Sequence, residues 1–140
     1  MSAAEIDNFI LVQKVGRVGC HVDGVTYVVP VIFAWDTDAF YIYTTEGQKV
    51  SMMRQNSSVC FEIDEYLVDG SWRSVIIQGV YEELHDDDAV HAKRILTERL
   101  ISTTGAGRNS GDRGEGRVPV AFRIRPLEVT GRKVDRRANL

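Results

Sequence analysis

Residues 44–49, Thr-Thr-Glu-Gly-Gln-Lys, place two hydroxyls, a glycine and an ammonium where a strand-like run meets a helix-like run. The first amides of a helix have no intrahelical partner, and the helix dipole adds partial positive charge there. Gly47 would let the backbone approach a ligand closely. Lys49 adds a full charge, and Thr44 and Thr45 add hydrogen-bond donors. The combination suits a phosphate monoester. The same residues also fit an ordinary capped helix with a solvated lysine, and this stretch alone does not decide between the two.

The sequence contains no motif for a nucleotide-binding phosphate loop, a hydrolytic triad or a cysteine-based metal site. No Gly-x-x-x-x-Gly-Lys-[Ser/Thr] phosphate loop occurs, and no Ser, His and Asp order suggests hydrolysis. Cys20 and Cys60 stand about forty residues apart without a Cys-x-x-Cys pair, which predicts two buried thiols that pack as small apolar groups. We therefore predict no metal site and name no catalytic residue.

Two further places could contact a flat heteroaromatic ligand. Pro30 lies inside the apolar run Thr-Tyr-Val-Val-Pro-Val-Ile-Phe and cannot donate to a sheet ladder, so it marks an edge or an interruption of a strand. An interruption would leave neighbouring backbone groups free for a ligand, whereas an edge proline needs no ligand. Trp72 and Arg73 open another strand, and Trp72 could cover a ring or pack in a core or a subunit interface.

The elements that must position these residues follow from the hydrophobic pattern. Three helices are predicted, over residues 3–14 behind a Ser2-x-x-Glu5 capping box, over 47–56, and over 86–101 behind three aspartates. In most of the remaining chain, apolar and polar residues alternate with the period of two that is typical of strands. Asp-Gly pairs at 23–24 and 69–70 indicate hairpin turns. Residues 25–35 are almost wholly apolar, which predicts one strand buried on both faces. Gly79, inside a long strand, predicts a bulge or a close approach.

These predicted elements indicate a mainly β protein with short helices. Its six to seven antiparallel strands predict a barrel or a strongly curled sheet. A length of 140 residues suits one domain over 1–140, with a mobile loop at 103–118 and a loose tail at 134–140. The net charge of −3 argues against nucleic acid as a partner. The sequence has no apolar run of membrane-spanning length and no signal-peptide pattern, so we expect a cytoplasmic protein without a membrane partner.

In their order and content these segments resemble the FMN-binding split β-barrel superfamily, also called the pyridoxamine phosphate oxidase-like family. The resemblance covers about residues 5–133 outside the loop at 103–118. It is carried by VGRVGCHVDG, YVVPVIFAWDTDAFYIYTTEGQK, VSMMRQNSSVCFEIDE, WRSVIIQGVYEEL and RIRPLEVTGRK. The stretch with Gly47 and Lys49, followed by RQNSSVCFEID, is its most specific part.

The resemblance implies a fold, a cofactor and a site. Members are usually homodimers with two FMN sites at the subunit interface. It implies phosphate binding by Lys49, with help from Thr44 and the Gly47-Gln48 region, and places the backbone of Pro30, Val31 and Ile32 beside the isoalloxazine ring. Arg73 and Ser74 match positions that commonly reach the flavin or its ribityl chain.

The sequence also departs from the family pattern. Gln48 stands where many relatives carry a second basic residue, and Tyr43 stands where the nitroimidazole-resistance-like branch often has histidine. The C-terminal Arg-x-His motif of pyridoxamine phosphate oxidases is missing, so vitamin B6 synthesis is not predicted.

These features favour an FMN-dependent oxidoreductase that takes electrons from NADH or NADPH and passes them to a small acceptor. Two alternatives keep the fold: a flavin-nucleotide carrier, sensor or store without turnover, and an enzyme that uses deazaflavin F420 or haem in place of FMN. A third alternative is an interaction domain without any cofactor.

Overall fold

The computed structural model describes residues 1–104 and 117–136. In chain order its elements are α1 (Ala3–Leu11), β1 (Val15–Val22), β2 (Val25–Ile32), β3 (Ala34–Trp35), β4 (Phe40–Thr45), α2 (Gln48–Gln55), β5 (Ser58–Tyr66), β6 (Trp72–Leu84), α3 (Asp86–Thr104) and β7 (Pro119–Val134). The seven strands form one sheet in the order β2-β1-β5-β6-β7-β4-β3, and all neighbouring strands are antiparallel.

The alternating pattern of the strands puts one face of the curled sheet in the core. On β5, Val59, Phe61 and Ile63 are buried while the residues between them are not, as the sequence predicts. Their side chains pack with those of β1, β4, β6 and β7, because the sheet curls around this face. The fully buried members include Val18, Phe40, Ile77, Phe122 and Ile124.

The chain joins the two ends of the sheet at Phe33. β2 pairs with β1, whereas β3, one residue further along, pairs with β4, so the segment 25–35 leaves one sheet end and reaches the other. Phe33 lies between them, donates its amide to Lys14 O at 3.0 Å and packs edge-on against Phe40 and Phe61. Since β3 is two residues long and pairs with Phe40 and Tyr41 alone, residues 42–45 of β4 have no strand on that side.

The three helices lie in the predicted segments, although α1 ends at Leu11 and not at residue 14. The predicted capping box holds the start of α1: Ser2 Oγ accepts from the Glu5 amide at 3.1 Å, and Glu5 Oε1 accepts from the Ser2 amide at 2.8 Å. Val50 and Met53 of α2 are fully buried, which fixes this helix against the mouth of the barrel. α3 packs its Ala92 and Leu96 inward, near a small cluster with Tyr41 and Ala121.

The predicted split β-barrel fold, with seven antiparallel strands and three helices, is confirmed. The predicted bulge at Gly79 is also confirmed by a register shift between Gln78 and Gly79. A Cβ on Gly79 would lie 2.7 Å from Arg125 O, so β7 approaches the backbone closely there. Pro30 lies on β2, the edge strand, in agreement with the edge interpretation.

Two expectations are wrong and one is met in part. Residues 25–35 do not form one strand buried on both faces. The strand ends at Ile32, and Val28 and Ile32 expose 59% and 49% of their surface, because none of the described residues covers this face of an edge strand. Residue 134 belongs to β7 and not to a tail. Cys20 is buried as predicted, whereas Cys60 is half-buried on the opposite face of the sheet. The remaining parts of the predicted loop and tail, 105–116 and 137–140, lie outside the described residues. Within the described part, no helix combines the length and the apolar character that a membrane crossing requires.

Candidate functional site

An open groove of about 410 Å³ lies where β2 and β4 fail to pair. Its lining is Val15, Pro30, Val31, Ile32, Ile42, Tyr43, Thr44 and Lys49. One wall of the groove is formed by the edge strand β2, and the other by the part of β4 that pairs with no strand on this side. Edge strands present backbone N–H and C=O groups that no neighbouring strand uses, so a planar ligand with ring heteroatoms could bind to them here.

The start of α2 borders this groove. Gly47 precedes the helix in an extended conformation, and no side chain caps the helix. The first helical bond runs from the Ser51 amide to Gly47 O at 3.1 Å, so the amides of residues 48–50 come before the first helical bond. A Cβ on Gly47 would meet Thr45 O alone, at 3.8 Å, so the fold does not require a glycine there. The missing side chain leaves space in front of these amides.

Lys49 brings a positive charge to one end of the groove. Its side chain is half-buried, and burial is the main reason why the pKa of its ammonium is lowered. The Cys20 thiol and the Arg117 guanidinium are near enough to act on it, and Arg117 lowers its pKa further. No described carboxylate pairs with Lys49. An anion in the groove would stabilise the charged form of this ammonium.

Arg54 ties the loop before α2 to the sheet. Its guanidinium donates to both carboxylate oxygens of Glu46 at 2.9 and 2.8 Å, and to both oxygens of Glu83 at 2.7 and 2.8 Å. Tyr81 donates its hydroxyl to Glu83 as well, at 2.8 Å. Glu46 is next to Gly47, Arg54 is in the last turn of α2, and Glu83 is the next-to-last residue of β6. We call Arg54, Glu46 and Glu83 the clamp, because it links the two ends of α2 to each other and to the sheet.

The groove and the helix start bring most of the predicted site residues together. Pro30, Val31, Ile32, Thr44 and Lys49 line the groove, and Gly47 and Gln48 form the helix start beside it. Gln48 is exposed and donates to Met52 Sδ at 3.8 Å. Thr45 is half-buried but does not line the groove, whereas its neighbours Tyr43 and Thr44 do.

Trp72, Arg73 and Ser74 lie elsewhere in the single chain. Trp72 is half-buried at the start of β6, and Arg73 is exposed beside α1 near Glu5 and Phe9. Ser74 donates to Glu62 Oε2 at 3.2 Å on the outer face of the sheet. One chain therefore does not bring these three residues to the groove. The sequence reasoning missed the roles of Arg54 and Arg117, since both depend on partners that are distant in sequence.

Metal ligands and a Cys–His pair are two other kinds of site that the residue types in the described part could form. Among them, no three His, Cys, Asp or Glu side chains lie together so that they could hold a metal ion. Cys20 and His21 point to opposite faces, with the thiol buried and the imidazole exposed, so they do not form a catalytic pair. The groove has a cationic end at α2 and an apolar, backbone-lined end at β2.

Comparison with known proteins decides the family. The family model for pyridoxamine 5'-phosphate oxidase matches residues 2–133. The chain belongs to this family. The pyridoxamine 5'-phosphate oxidase family model thus spans α1 and nearly all of the sheet, including the groove and the start of α2.

Individual relatives agree with the family. An uncharacterized protein of Rhizobium meliloti is 32% identical over 101 residues, which are 72% of this chain and 67% of the relative. The crystal structure of an FAD-binding protein from Mesorhizobium loti is 32% identical, with a TM-score of 0.79 over 96% of this chain and 95% of that one. The FAD-binding protein from Mycobacterium smegmatis, 24% identical with a TM-score of 0.68 over 95% of this chain and 94% of that one, supports the fold alone.

The clamp should make the stability of the fold depend on pH in the acidic range. The hydrogen bonds from Arg54 are the largest cause that lowers the pKa of Glu83, from 4.5 to about 2. A depressed carboxyl pKa stabilises the fold above pH 4.5, and this contribution is lost as the pH falls towards 2. We expect Arg54→Met to lower the midpoint of urea unfolding at pH 7. The difference in midpoint between the variant and the wild type should become smaller as the pH falls from 4.5 to 2.

The matched control is Arg94→Met, which removes an exposed guanidinium from α3. Its midpoint should stay close to that of the wild type at every pH. A gap for Arg54→Met that is as wide at pH 2.5 as at pH 7 would contradict the role of the Glu83 carboxylate.

Proposed function

We propose that this protein binds a flavin nucleotide, FMN in the first place, in the groove between β2 and β4. The phosphate would lie at the start of α2, against Lys49 and Thr44, with Gly47 leaving room for it. The isoalloxazine ring would lie along the backbone of Pro30, Val31 and Ile32. The observation that carries the proposal is the half-buried Lys49, without a carboxylate partner among the described residues, at the end of an open groove.

FAD is the second candidate. The Mesorhizobium loti protein that is 32% identical to this chain over nearly its full length is an FAD-binding protein. FAD carries the same flavin and first phosphate as FMN, so the same groove and helix start could serve either. The two nucleotides differ in the second phosphate and the adenosine, which would extend beyond the groove.

We further propose that the bound flavin makes the protein an oxidoreductase, with NADH or NADPH as electron donor and a small molecule as acceptor. A flavin supplies hydride transfer itself, and the protein's part is to position the ring and shape its electrostatics. This fits a groove without an acid–base pair. The alternative is a flavin carrier without turnover, and F420 or haem would be a different cofactor on the same fold.

The first experiment is the visible spectrum of the purified protein, followed by the mass of the molecule that heat releases. We expect flavin bands and the mass of FMN, or of FAD for the second candidate, and bleaching of the bands when NADH or NADPH is added. If neither NADH nor NADPH reduces the bound flavin, the oxidoreductase proposal is wrong and the flavin-carrier alternative remains. A deazaflavin mass, a haem Soret band, or a colourless protein that takes up no added flavin would overturn the proposal.

Lys49→Ala tests the phosphate contact directly. A charge-assisted hydrogen bond to a phosphate contributes about 1.5 to 3 kcal/mol, so FMN affinity should fall roughly ten- to a hundredfold. Riboflavin has no phosphate, and its affinity should change little. Fluorescence titration of both ligands gives the two dissociation constants. Arg94→Ala, which removes an exposed charge from α3, is the control. An unchanged FMN constant in Lys49→Ala would remove Lys49 from the site.

We propose that the working unit is a homodimer. The outer face of the sheet carries exposed apolar side chains, among them Val15, Val28, Ile32 and Ile76, which are 42 to 59% exposed. A groove of about 620 Å³ runs over the same face, next to Val28 and Cys60. Large exposed apolar patches are typical of protein–protein contacts. A second copy on this face would cover the bare side of β2 and could bring its own Trp72, Arg73 and Ser74 near the flavin ring.

Light scattering should give twice the chain mass of 15.7 kDa. Val28→Asp should shift the protein towards the monomer and weaken flavin binding with it, because a charge in an apolar contact is costly. Val90→Asp, at a 60% exposed site on α3, should leave the dimer intact. A wild-type protein that is monomeric at micromolar concentration would contradict the dimer and the part of the site assigned to a second chain.

A further inference from the structure

The ladder between β4 and β7 extends past the ends of both strands. Thr45 pairs with Pro119, and one step further the Glu46 amide donates to Val118 O at 2.9 Å. An antiparallel ladder advances by one residue on each strand, so the next pair in this register is Gly47 with Arg117. A cation from the C-terminal part of the chain is thereby brought to the start of α2, where Lys49 also lies.

The carboxylate that directly precedes Gly47, that of Glu46, pairs with Arg54 and not with Lys49 or Arg117. Both oxygens of the Glu46 carboxylate are held by Arg54 in the clamp, at 2.9 and 2.8 Å. Arg117 acts on Lys49 strongly enough to lower the pKa of its ammonium, in addition to the larger effect of burial. Two cations held close together repel each other, and a bound anion between or beside them would remove that cost.

We propose that Arg117 is a second cationic ligand for the phosphate of the flavin nucleotide. The inference rests on the proposed flavin site and adds a residue to it. α2 itself offers one charged side chain at its start, Lys49, since Gln48 is neutral. Arg117 supplies a second charge from the segment that leads into β7. A guanidinium can donate two parallel hydrogen bonds to a phosphate, which gives orientation as well as affinity.

The test is a titration of wild type, Arg117→Gln, Arg117→Lys and Arg94→Gln with FMN, FAD and riboflavin. Arg117→Gln should weaken FMN and FAD about tenfold or more, because a charge-assisted contact is lost. Its riboflavin affinity should equal that of the wild type. Arg117→Lys should recover part of the lost affinity, and Arg94→Gln should behave as the wild type. Arg117 is exposed, so the variants should keep the wild-type urea midpoint.

Each other outcome has a defined meaning. An FMN affinity unchanged in Arg117→Gln overturns the proposal, and so does a loss confined to FAD, because Arg117 would then act on the second phosphate or the adenosine. Equal losses for FMN and riboflavin would show a structural role and overturn it too. A wild-type protein that binds none of the three ligands overturns the flavin site itself, and the inference with it.

Discussion

The missing ladder between β2 and β4 is the constraint on which the site depends. The chain crosses from one end of the sheet to the other at Phe33, so the barrel closes near β3 and stays open beside Pro30 and Thr44. A full ladder here would use the backbone groups of both strands and fill the space between them. The short β3 therefore sets both the position and the width of the groove, and the aromatic packing of Phe33 holds that position.

The second requirement is that the mouth of this groove remains positive. The loop that leads into α2 carries one acid, Glu46, directly beside the helix start. Arg54 binds that acid from the far end of the same helix and uses Glu83 as its second partner. The arrangement fixes the loop, and the Glu46 carboxylate pairs with Arg54 and not with Lys49. The Arg54–Glu46 ion pair thus holds the segment before α2 and neutralises the acid beside the helix start, which favours the proposed binding of an anion there.

The sequence predicted those features that depend on neighbours along the chain. The alternation of Val59 and Phe61, the helix start after Gly47 and the irregularity at Gly79 all follow from local patterns. The sequence could not predict which residues pack against a strand face or pair with it from a distant part of the chain. An apolar run such as residues 25–32 has the same pattern whether it is buried in its own chain or left exposed. The approach of Arg117 to α2 follows from a register between strands that are about seventy-five residues apart.

The two ends of the proposed site differ in how they are built. The proposed phosphate end draws on residues 44–54 and 117 of a single chain. The proposed ring end lies on β2, an edge strand whose outer face no other described residue covers, with Ile32 about half exposed. In the proposed site, affinity for the phosphate would therefore be set within one chain. Exclusion of water from a bound flavin ring would require another surface over β2, and the proposed second copy of the chain would offer one.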